Sequence, residues 1–307
     1  MSEILAKLNS MPTFHTPQGS IYFEQRGSRA DPPIVMIHGL GCQIVHWPES
    51  LIEGLRSEGF RVVMMDNRDA GLSFDVEQSP PEIAKLIEAM DDPTAVDPSY
   101  SLADMAEDVV HLLDHLGQSG AHLVGVSMGG MIAQYVALNH AKRVFSLSLL
   151  MSSTGNPEIP TPAPEVVGAL GTTVVSPTRE ESIEAARAAN RIFGGPYFDS
   201  CEVGIGRFVE TAYDRASRPY GVRRQLGAIL SDGDRRAQLA TLKTPTLMVH
   251  GDQDPLVDKC GSIDLAETIP NSRLRIIEKL GHDLPEPIIP TILQEIVTHI
   301  RNQPVAR

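Results

Sequence analysis

The chain has 307 residues, of which 42% belong to the hydrophobic set and 21% are charged, as in an average soluble globular protein. These values exclude a disordered or collagen-like chain, and the length allows a large core. Because 26 Lys and Arg stand against 39 Asp and Glu, the net charge of -13 opposes binding to nucleic acids and to anionic membranes.

The N-terminal segment, residues 1–16, lacks a basic start followed by an apolar run and a small-residue cleavage site. We therefore expect no secretion signal and a cytoplasmic location. No uncharged apolar stretch is long enough to predict a membrane span. The three cysteines have no metal-ligand spacing, so we expect free, mostly buried thiols in a reducing compartment: Cys42, Cys201 and Cys260.

Short apolar runs alternate with helical patterns along the chain, which predicts βα units and a mostly parallel sheet. After an antiparallel start within residues 11–26, strands are predicted at residues 34–37, 61–65, 122–126, 144–150, 246–250 and 274–277. Three of these runs end at polar residues: His38, Asp66 and Ser127. Since ligands of open parallel sheets bind outside the carboxyl ends of the strands, we expect a site there.

Helices with one apolar face are predicted over residues 101–116, where Ser101 and Asp104 have capping-box spacing, and over residues 289–300. Proline-rich residues 74–99 interrupt the alternation, with a short helical pattern at 83–90.

A second interruption covers residues 155–236. It opens with four prolines, has no strand pattern, and predicts a helix from the capping box of Thr178 and Glu181 to Phe193. We therefore predict an α/β core formed by residues 1–154 and 237–307, and a helical lid formed by residues 155–236.

The segment Gly125-Val126-Ser127-Met128-Gly129-Gly130 follows a predicted strand and opens a predicted helix. This is the context of the G-x-S-x-G nucleophile elbow. A Cβ atom at Gly125 or Gly129 would collide with the strand and the helix, and the serine must accept a strained backbone. Ser127 is therefore the predicted nucleophile; the alternative is a structural Gly-Ser turn.

A serine hydroxyl needs a base to take its proton, and an acid to orient that base. In hydrolases of this kind the chain order is Ser, then Asp or Glu, then His. His282, in a loop between the last predicted strand and helix, is the predicted base. We choose Asp254 as the acid because Pro255 stiffens the turn behind it. Asp252 is expected to bond its own backbone, and Asp258 to begin the next helix.

His38-Gly39-Leu40-Gly41 follows the first parallel strand, where an HG-containing loop supplies an oxyanion donor. We predict that the main-chain N–H groups of Leu40 and Met128 stabilise the oxyanion; the alternative is a plain Gly-rich turn. Gly39, Phe193 and Phe208 are expected to contact the substrate. Apolar side chains of the predicted lid either line a pocket or pack the lid onto the core: Val166, Val167, Leu170, Ile192, Phe193, Ile205 and Phe208.

Together these loops, from about Thr13 to Arg301, resemble the α/β-hydrolase superfamily. The stretch from Asp66 to Ser73 is similar to the family loop D-x-R-G-x-G-x-S, with Asp69 in place of the usual glycine. That variant, the serine loop and the GHDLP stretch resemble the aclacinomycin methylesterase-like branch of lid-bearing esterases.

The resemblance implies a mostly parallel, eight-stranded twisted sheet flanked by helices, with an inserted helical lid. It also implies that Ser127, Asp254 and His282 form a catalytic triad, and that Leu40 and Met128 shape the oxyanion hole. Asp66, Arg68 and Asp69 are implied to hold their loop rather than to catalyse.

We therefore expect a serine esterase that forms an acyl-enzyme with a small-molecule carboxylic ester of small to medium size. No nucleotide, zinc or dinucleotide motif is present, so we expect no cofactor and no metal. A serine nucleophile opposes dehalogenases and epoxide hydrolases, which carry aspartate. Lactone opening, carbon–carbon bond hydrolysis, perhydrolysis, acyl transfer and a ligand-binding receptor on the same fold remain open, and the sequence does not indicate an oligomeric state.

Overall fold

A computed structural model describes residues 12–171 and 178–302. Its strands are β1 (Thr13–His15), β2 (Ser20–Arg26), β3 (Pro33–Ile37), β4 (Arg61–Met65), β5 (Ala121–Val126), β6 (Val144–Leu150), β7 (Thr246–Gly251) and β8 (Ser272–Ile277). They form one sheet in the order β1-β2-β4-β3-β5-β6-β7-β8. The pairs β1–β2 and β2–β4 are antiparallel, and the other five are parallel. The predicted eight-stranded, mostly parallel sheet is confirmed; the expectations for residues 1–11 and 303–307 lie outside the described residues.

Helices cover both faces of this sheet, because its central strands are apolar on both sides. Within the described residues, the helices outside residues 155–236 are α1 (Glu49–Ser57), α2 (Ile83–Glu88), α3 (Leu102–His115), α4 (Met128–Asn139), α10 (Cys260–Thr268) and α11 (Ile289–Arg301). Val35 and Val63 face α3 and α4, whereas Ile34 and Val62 face α1 and α11. The Ser101–Asp104 capping box of α3 is confirmed. The sequence analysis did not predict α1.

Residues 155–236, which we call the helical insertion, lie between β6 and β7. The described part contains α5 (Pro164–Gly171), α6 (Arg179–Phe193), α7 (Val209–Arg215) and α8 (Pro219–Leu230), with α9 (Arg236–Leu239) across its end. The described part contains no strand, as predicted. The capping box of Thr178 and Glu181 forms, and α6 ends at Phe193 as expected, followed by Gly194. The division into core and lid at residues 154/155 and 236/237 stays a prediction.

The Asp66 loop fastens the insertion to the sheet. The Arg215 guanidinium of α7 lies 2.7 Å from the Asp66 carboxylate, and that of Arg224 in α8 lies 2.7 Å from Asp69. Asp69 has a φ of 64°, which explains why a glycine is usual at this position. Arg68 pairs instead with a buried carboxylate of α3, 2.7 Å away. All three residues hold their loop, in agreement with the role that the resemblance implied.

Within residues 12–171 and 178–302, no helix combines the length and the hydrophobicity that crossing a bilayer requires.

Candidate active site

Ser127 occupies the sharp turn between β5 and α4. Its φ of 54° and ψ of -121° lie in a region that costs energy for any residue with a side chain. A Cβ atom on Gly125 would overlap the carbonyl oxygen of Gly129, and one on Gly129 would overlap that of Ile37. The N–H of Ser127 donates to Leu150 O at 2.8 Å, which ties the turn to β6. The glycines are therefore required by the close approach of helix and strand, as the sequence predicted.

The turn faces a crevice at the carboxyl ends of the neighbouring strands β3 and β5. The chain order reverses between these strands, and such switch points are where open α/β sheets bind ligands. A cavity of about 1100 Å³ opens here and extends under the helical insertion. Ser127 and His282 both line it.

His282 and Asp254 meet at the edge of this cavity, as predicted. The Nδ1 atom of His282 lies 2.7 Å from Oδ2 of Asp254, and Oδ1 of Asp254 accepts the N–H groups of Leu256 and Val257, both at 2.9 Å. Among the described residues, no hydrogen bond joins the hydroxyl of Ser127 to His282. Catalytic contacts of this kind often tighten only when substrate binds.

Two imidazoles act on the acidity of Asp254. Burial alone would raise the pKa of this carboxyl, but His282 and His250 outweigh it and hold the pKa well below its ordinary value. Asp254 is therefore a carboxylate at any pH where the protein would work, and it can orient the imidazole of His282.

His250 is a contact of Asp254 that the sequence analysis missed, because it was assigned only to a strand. Its Nε2 atom lies 3.1 Å from Asp254 Oδ2 and 2.8 Å from Val257 O. Both partners are acceptors, so Nε2 carries a hydrogen and donates it. Its Nδ1 atom lies 2.6 Å from the Oγ atom of Ser262. The spacing H-x-x-x-D was visible in the sequence, but it does not reveal how the loop folds back.

The two other aspartates of this loop have different roles. Asp252 was expected to bond its own backbone, and this prediction is wrong: its Oδ1 accepts the N–H of Lys279 at 2.7 Å, because the loop after β8 lies against it. Asp258 accepts the N–H of Cys260 at 2.8 Å, at the start of α10. Its predicted place at a helix start is confirmed.

The loop after β3 forms a tight turn beside Ser127. The N–H of Cys42 donates to Gly39 O at 3.2 Å, and Gly41 has a φ of 67°. The N–H of Leu40 has no hydrogen-bond partner within residues 12–171 and 178–302. Met128 is the first residue of α4, so the helix offers its N–H no carbonyl one turn earlier. Both predicted oxyanion donors are thus available.

Several buried titratable groups surround this loop. Burial lowers the pKa of His38 well below its ordinary value and that of His46 to about 4, so both imidazoles are neutral near pH 7. His38 Nδ1 accepts the N–H of Gly39 at 2.8 Å. Burial also raises the pKa of the Cys42 thiol to about 12, which leaves it a poor nucleophile.

The insertion contacts the loop that carries His282. The N–H of His282 donates to Phe193 O at 2.7 Å, and the N–H of Ile205 donates to Asp283 Oδ1 at 2.9 Å. Burial raises the pKa of Asp283 to about 6. The position of the predicted base is therefore coupled to the position of the insertion.

The expected substrate contacts divide into two groups. Gly39 and Phe193 line the cavity. Phe208 does not, because its ring lies 4.5 Å from the guanidinium of Arg207 and away from the cavity. Of the other apolar residues proposed for the pocket, three line it and two do not. The first group is Val167, Leu170 and Ile205, and the second is Val166, which is buried, and Ile192, which is exposed.

Comparison with known proteins identifies the family. The model of the α/β hydrolase fold family matches residues 32–286, so the chain belongs to this family of hydrolases. Rhodomycin D methylesterase of Streptomyces peucetius is 25% identical over 303 residues, which cover 92% of this chain and 95% of that protein. Pimeloyl-[acyl-carrier protein] methyl ester esterase of Aeromonas hydrophila is 28% identical over 257 residues, which cover 82% and 88%.

Solved structures agree with this assignment at the level of the fold. An esterase from Exiguobacterium antarcticum superposes with a TM-score of 0.72 at 23% identity, over 92% of this chain and 96% of that one.

Proposed function

We propose that this protein is a serine carboxylesterase that works through an acyl-enzyme intermediate. One arrangement carries the proposal: the strained turn presents Ser127 to the cavity that His282 also lines, and His282 is bonded to the buried carboxylate of Asp254. The methylesterase and methyl ester esterase names of the two relatives support ester hydrolysis in particular.

In the proposed reaction, Ser127 Oγ attacks the ester carbonyl while Nε2 of His282 takes its proton. The carboxylate of Asp254 holds the other nitrogen protonated and stabilises the imidazolium. His282 then protonates the departing alcohol. A water molecule, activated by the same imidazole, attacks the acyl-enzyme and releases the acid.

The negative charge on the carbonyl oxygen needs donors in place before the reaction. We propose the N–H groups of Leu40 and Met128 for this role, which is supported by the absence of competing partners for them among the described residues. One such donor commonly changes kcat by about 100-fold to 1000-fold.

The cavity favours a larger substrate than the sequence suggested. Its volume of about 1100 Å³ exceeds what a short-chain ester fills, and its lining is mainly apolar. We propose that residues 155–236 act as a lid over it, and that Gly39 and Phe193 contact the substrate. The substrate is then an ester with a bulky apolar body.

The proposed setting is the cytoplasm. The free state of all three cysteines supports a reducing compartment. The expectation that they are mostly buried is wrong, because Cys260 is exposed and Cys42 and Cys201 are half-buried.

The test compares p-nitrophenyl esters of increasing acyl length with three proteins: the wild type, Ser127→Ala and Ser57→Ala. Ser57 is exposed at the end of α1, does not line the cavity and provides a matched serine control. We expect Ser127→Ala to lose activity by at least about 10⁴-fold, as removal of a triad member does, and Ser57→Ala to remain within about twofold of the wild type. Retained turnover by a folded Ser127→Ala would contradict the proposal.

A further inference from the structure

Gln225, in α8 of the insertion, is fully buried and bonds two loops of the sheet. Its Oε1 atom accepts the N–H of Gly41 at 2.8 Å, and its Nε2 atom donates to Arg68 O at 2.7 Å. The side chain amide thus connects the predicted oxyanion turn to the Asp66 loop. Neither contact follows from the family motifs in the sequence.

The turn that Gln225 contacts has two possible peptide orientations. The Cys42 N–H to Gly39 O bond closes a four-residue turn, and a φ of 67° at Gly41, its third residue, is that of a type II turn. Types I and II differ by a flip of the central peptide, here between Leu40 and Gly41. Because Gln225 accepts the N–H of Gly41, it holds that peptide in the type II orientation.

This orientation bears on the neighbouring peptide, whose N–H belongs to Leu40. On the other side of that peptide, Asn67 Nδ2 donates to His38 O at 3.0 Å. The backbone on both sides of the Leu40 N–H is therefore fixed by side chains, Asn67 before it and Gln225 after it. The direction of the Leu40 N–H, for which the described residues provide no hydrogen-bond partner, is thereby fixed.

Helix α8 is itself held firmly enough to act in this way. Arg224 bonds Asp69 through two nitrogens, at 2.8 and 2.7 Å. A Cβ atom on Gly221 would overlap Asp69 O, so the helix lies directly on the Asp66 loop. The amide of Gln225 is consequently placed by the same contacts that fasten the insertion.

We propose that Gln225 is a positioning residue, which holds the Leu40–Gly41 peptide so that the N–H of Leu40 stabilises the oxyanion. This inference rests on the proposed esterase function. Helix α8 then positions an oxyanion donor in addition to covering the cavity.

The experiment uses the full chain with four variants. Gln225→Leu removes the acceptor for Gly41, and Gln225→Met does so with a side chain of similar length. Gln225→Glu keeps an acceptor oxygen. Tyr220→Ala, on the same helix with a side chain 61% exposed, is the matched control. Circular dichroism establishes which variants fold.

Two measurements separate positioning from mere stability. The first is kcat and KM with a p-nitrophenyl ester. The second is the rate at which a fluorophosphonate modifies Ser127, measured by intact mass. In that reaction Oγ forms a bond to phosphorus, fluoride leaves, and the serine proton passes to His282. Negative charge builds on the phosphoryl oxygen, so the rate reports on the oxyanion donors.

We expect Gln225→Leu to lower kcat by about 10-fold to 100-fold with KM within about threefold, and to lower the modification rate by a similar factor. Gln225→Met should show the same losses, and it takes the place of Gln225→Leu in the comparison if the leucine variant does not fold. Gln225→Glu keeps the acceptor for Gly41 but loses the amide donor to Arg68 O, so it should recover part of the loss, and Tyr220→Ala should stay within about twofold.

The outcomes distinguish this inference from the proposed function. If the wild type neither hydrolyses esters nor reacts with the fluorophosphonate, the proposed function fails, and this inference with it. If the wild type reacts and folded Gln225→Leu or Gln225→Met matches it within about twofold, only the role of Gln225 is overturned. A loss confined to KM overturns it as well.

Discussion

His250 Nε2 lies 3.1 Å from Asp254 Oδ2, the same oxygen that accepts the Nδ1–H of His282 at 2.7 Å. The carboxylate thus receives donors on two sides, besides two main-chain N–H groups on its other oxygen. This full set of partners fixes its direction and keeps it ionised.

Asp254→Asn should therefore lower kcat/KM by about 10³-fold to 10⁴-fold without unfolding the protein. In the wild type, Nδ1 of His282 donates its hydrogen to Asp254. The side-chain amide of asparagine presents an N–H group there instead, so Nδ1 loses its hydrogen and Nε2 carries it. An Nε2 that already holds a hydrogen cannot take the proton of Ser127. The measurement is kcat/KM for a p-nitrophenyl ester. Asp258→Asn is the control, because the carboxylate of Asp258 accepts a main-chain N–H at the start of α10. Equal activity of the two variants would contradict the role of Asp254.

The acidity of Asp283 makes stability depend on pH. Burial raises the pKa of this carboxyl from 3.8 to about 6 in the folded protein. The folded state then binds the proton more tightly than the unfolded state, so protonation of Asp283 stabilises the fold. This contribution is complete only well below pH 3.8 and is lost as the pH rises through 6. The difference amounts to about 3 kcal/mol.

Asp283→Asn removes this titration while it keeps the acceptor for Ile205. The free energy of unfolding of the wild type, relative to that of the variant, should fall by about 2 to 2.5 kcal/mol between pH 4 and pH 7.5, because the unfolded carboxyl is already partly ionised at pH 4. Urea denaturation at both pH values measures it, and exposed Asp97→Asn is the control. An unchanged difference between the two proteins would show that Asp283 does not titrate in this range.

The ion pair of Asp69 and Arg224 outweighs the backbone strain of Asp69. Glycine would relieve the φ of 64°, worth about 1 kcal/mol, but would leave a buried guanidinium without its partner, which costs about 3 to 5 kcal/mol. Asp69→Gly should therefore lower the free energy of unfolding by about 2 to 4 kcal/mol, measured in urea. Asn271→Gly, at an exposed position with a φ of 57°, should change it by less than about 0.5 kcal/mol. A more stable Asp69→Gly would refute this balance.

Gly129 and Gly168 differ in whether the structure has room for a side chain. Gly129→Ala places a methyl group on Ile37 O and should abolish folding or activity, because neither strand nor helix can move away. Gly168, in α5, has no atom of the described residues within 4 Å of an added Cβ, its own helix backbone and chain neighbours aside, so Gly168→Ala should raise stability by about 0.5 to 1 kcal/mol. Expression level and thermal unfolding check both. A fully active Gly129→Ala would mean that the elbow is looser than described.

The sequence predicted the sheet well because its strands are short apolar runs with sharp polar ends. β4 and β6 match the predicted bounds, and the capping boxes at Ser101 and Thr178 mark their helices correctly. Helix α1 was missed although Leu51, Ile52 and Leu55 have helical spacing after Pro48. This apolar pattern covers only five residues, which is too short to predict a helix with certainty from the sequence.

The contacts of the site were harder to predict than its residues. The pairing of Asp254 with His282 was predicted from chain order, but those of His250 and Gln225 depend on how loops and an inserted helix fold back on the sheet. Phe208 was expected at the cavity but does not line it, for the same reason: the packing of its ring against Arg207 depends on how the insertion folds. Hydrophobic patterns indicate which face is buried, not which partner covers it.

Ser127 and His282 are proposed to act as one unit, and this can be measured by kcat/KM for Ser127→Ala, His282→Ala and the double variant. Residues that act as a unit lose nearly the same activity singly and together. We expect all three folded proteins to share one residual rate, at least about 10⁴-fold below the wild type. A double variant whose loss equals the product of the two single losses, or a single variant that keeps near-normal turnover, would contradict the proposed mechanism.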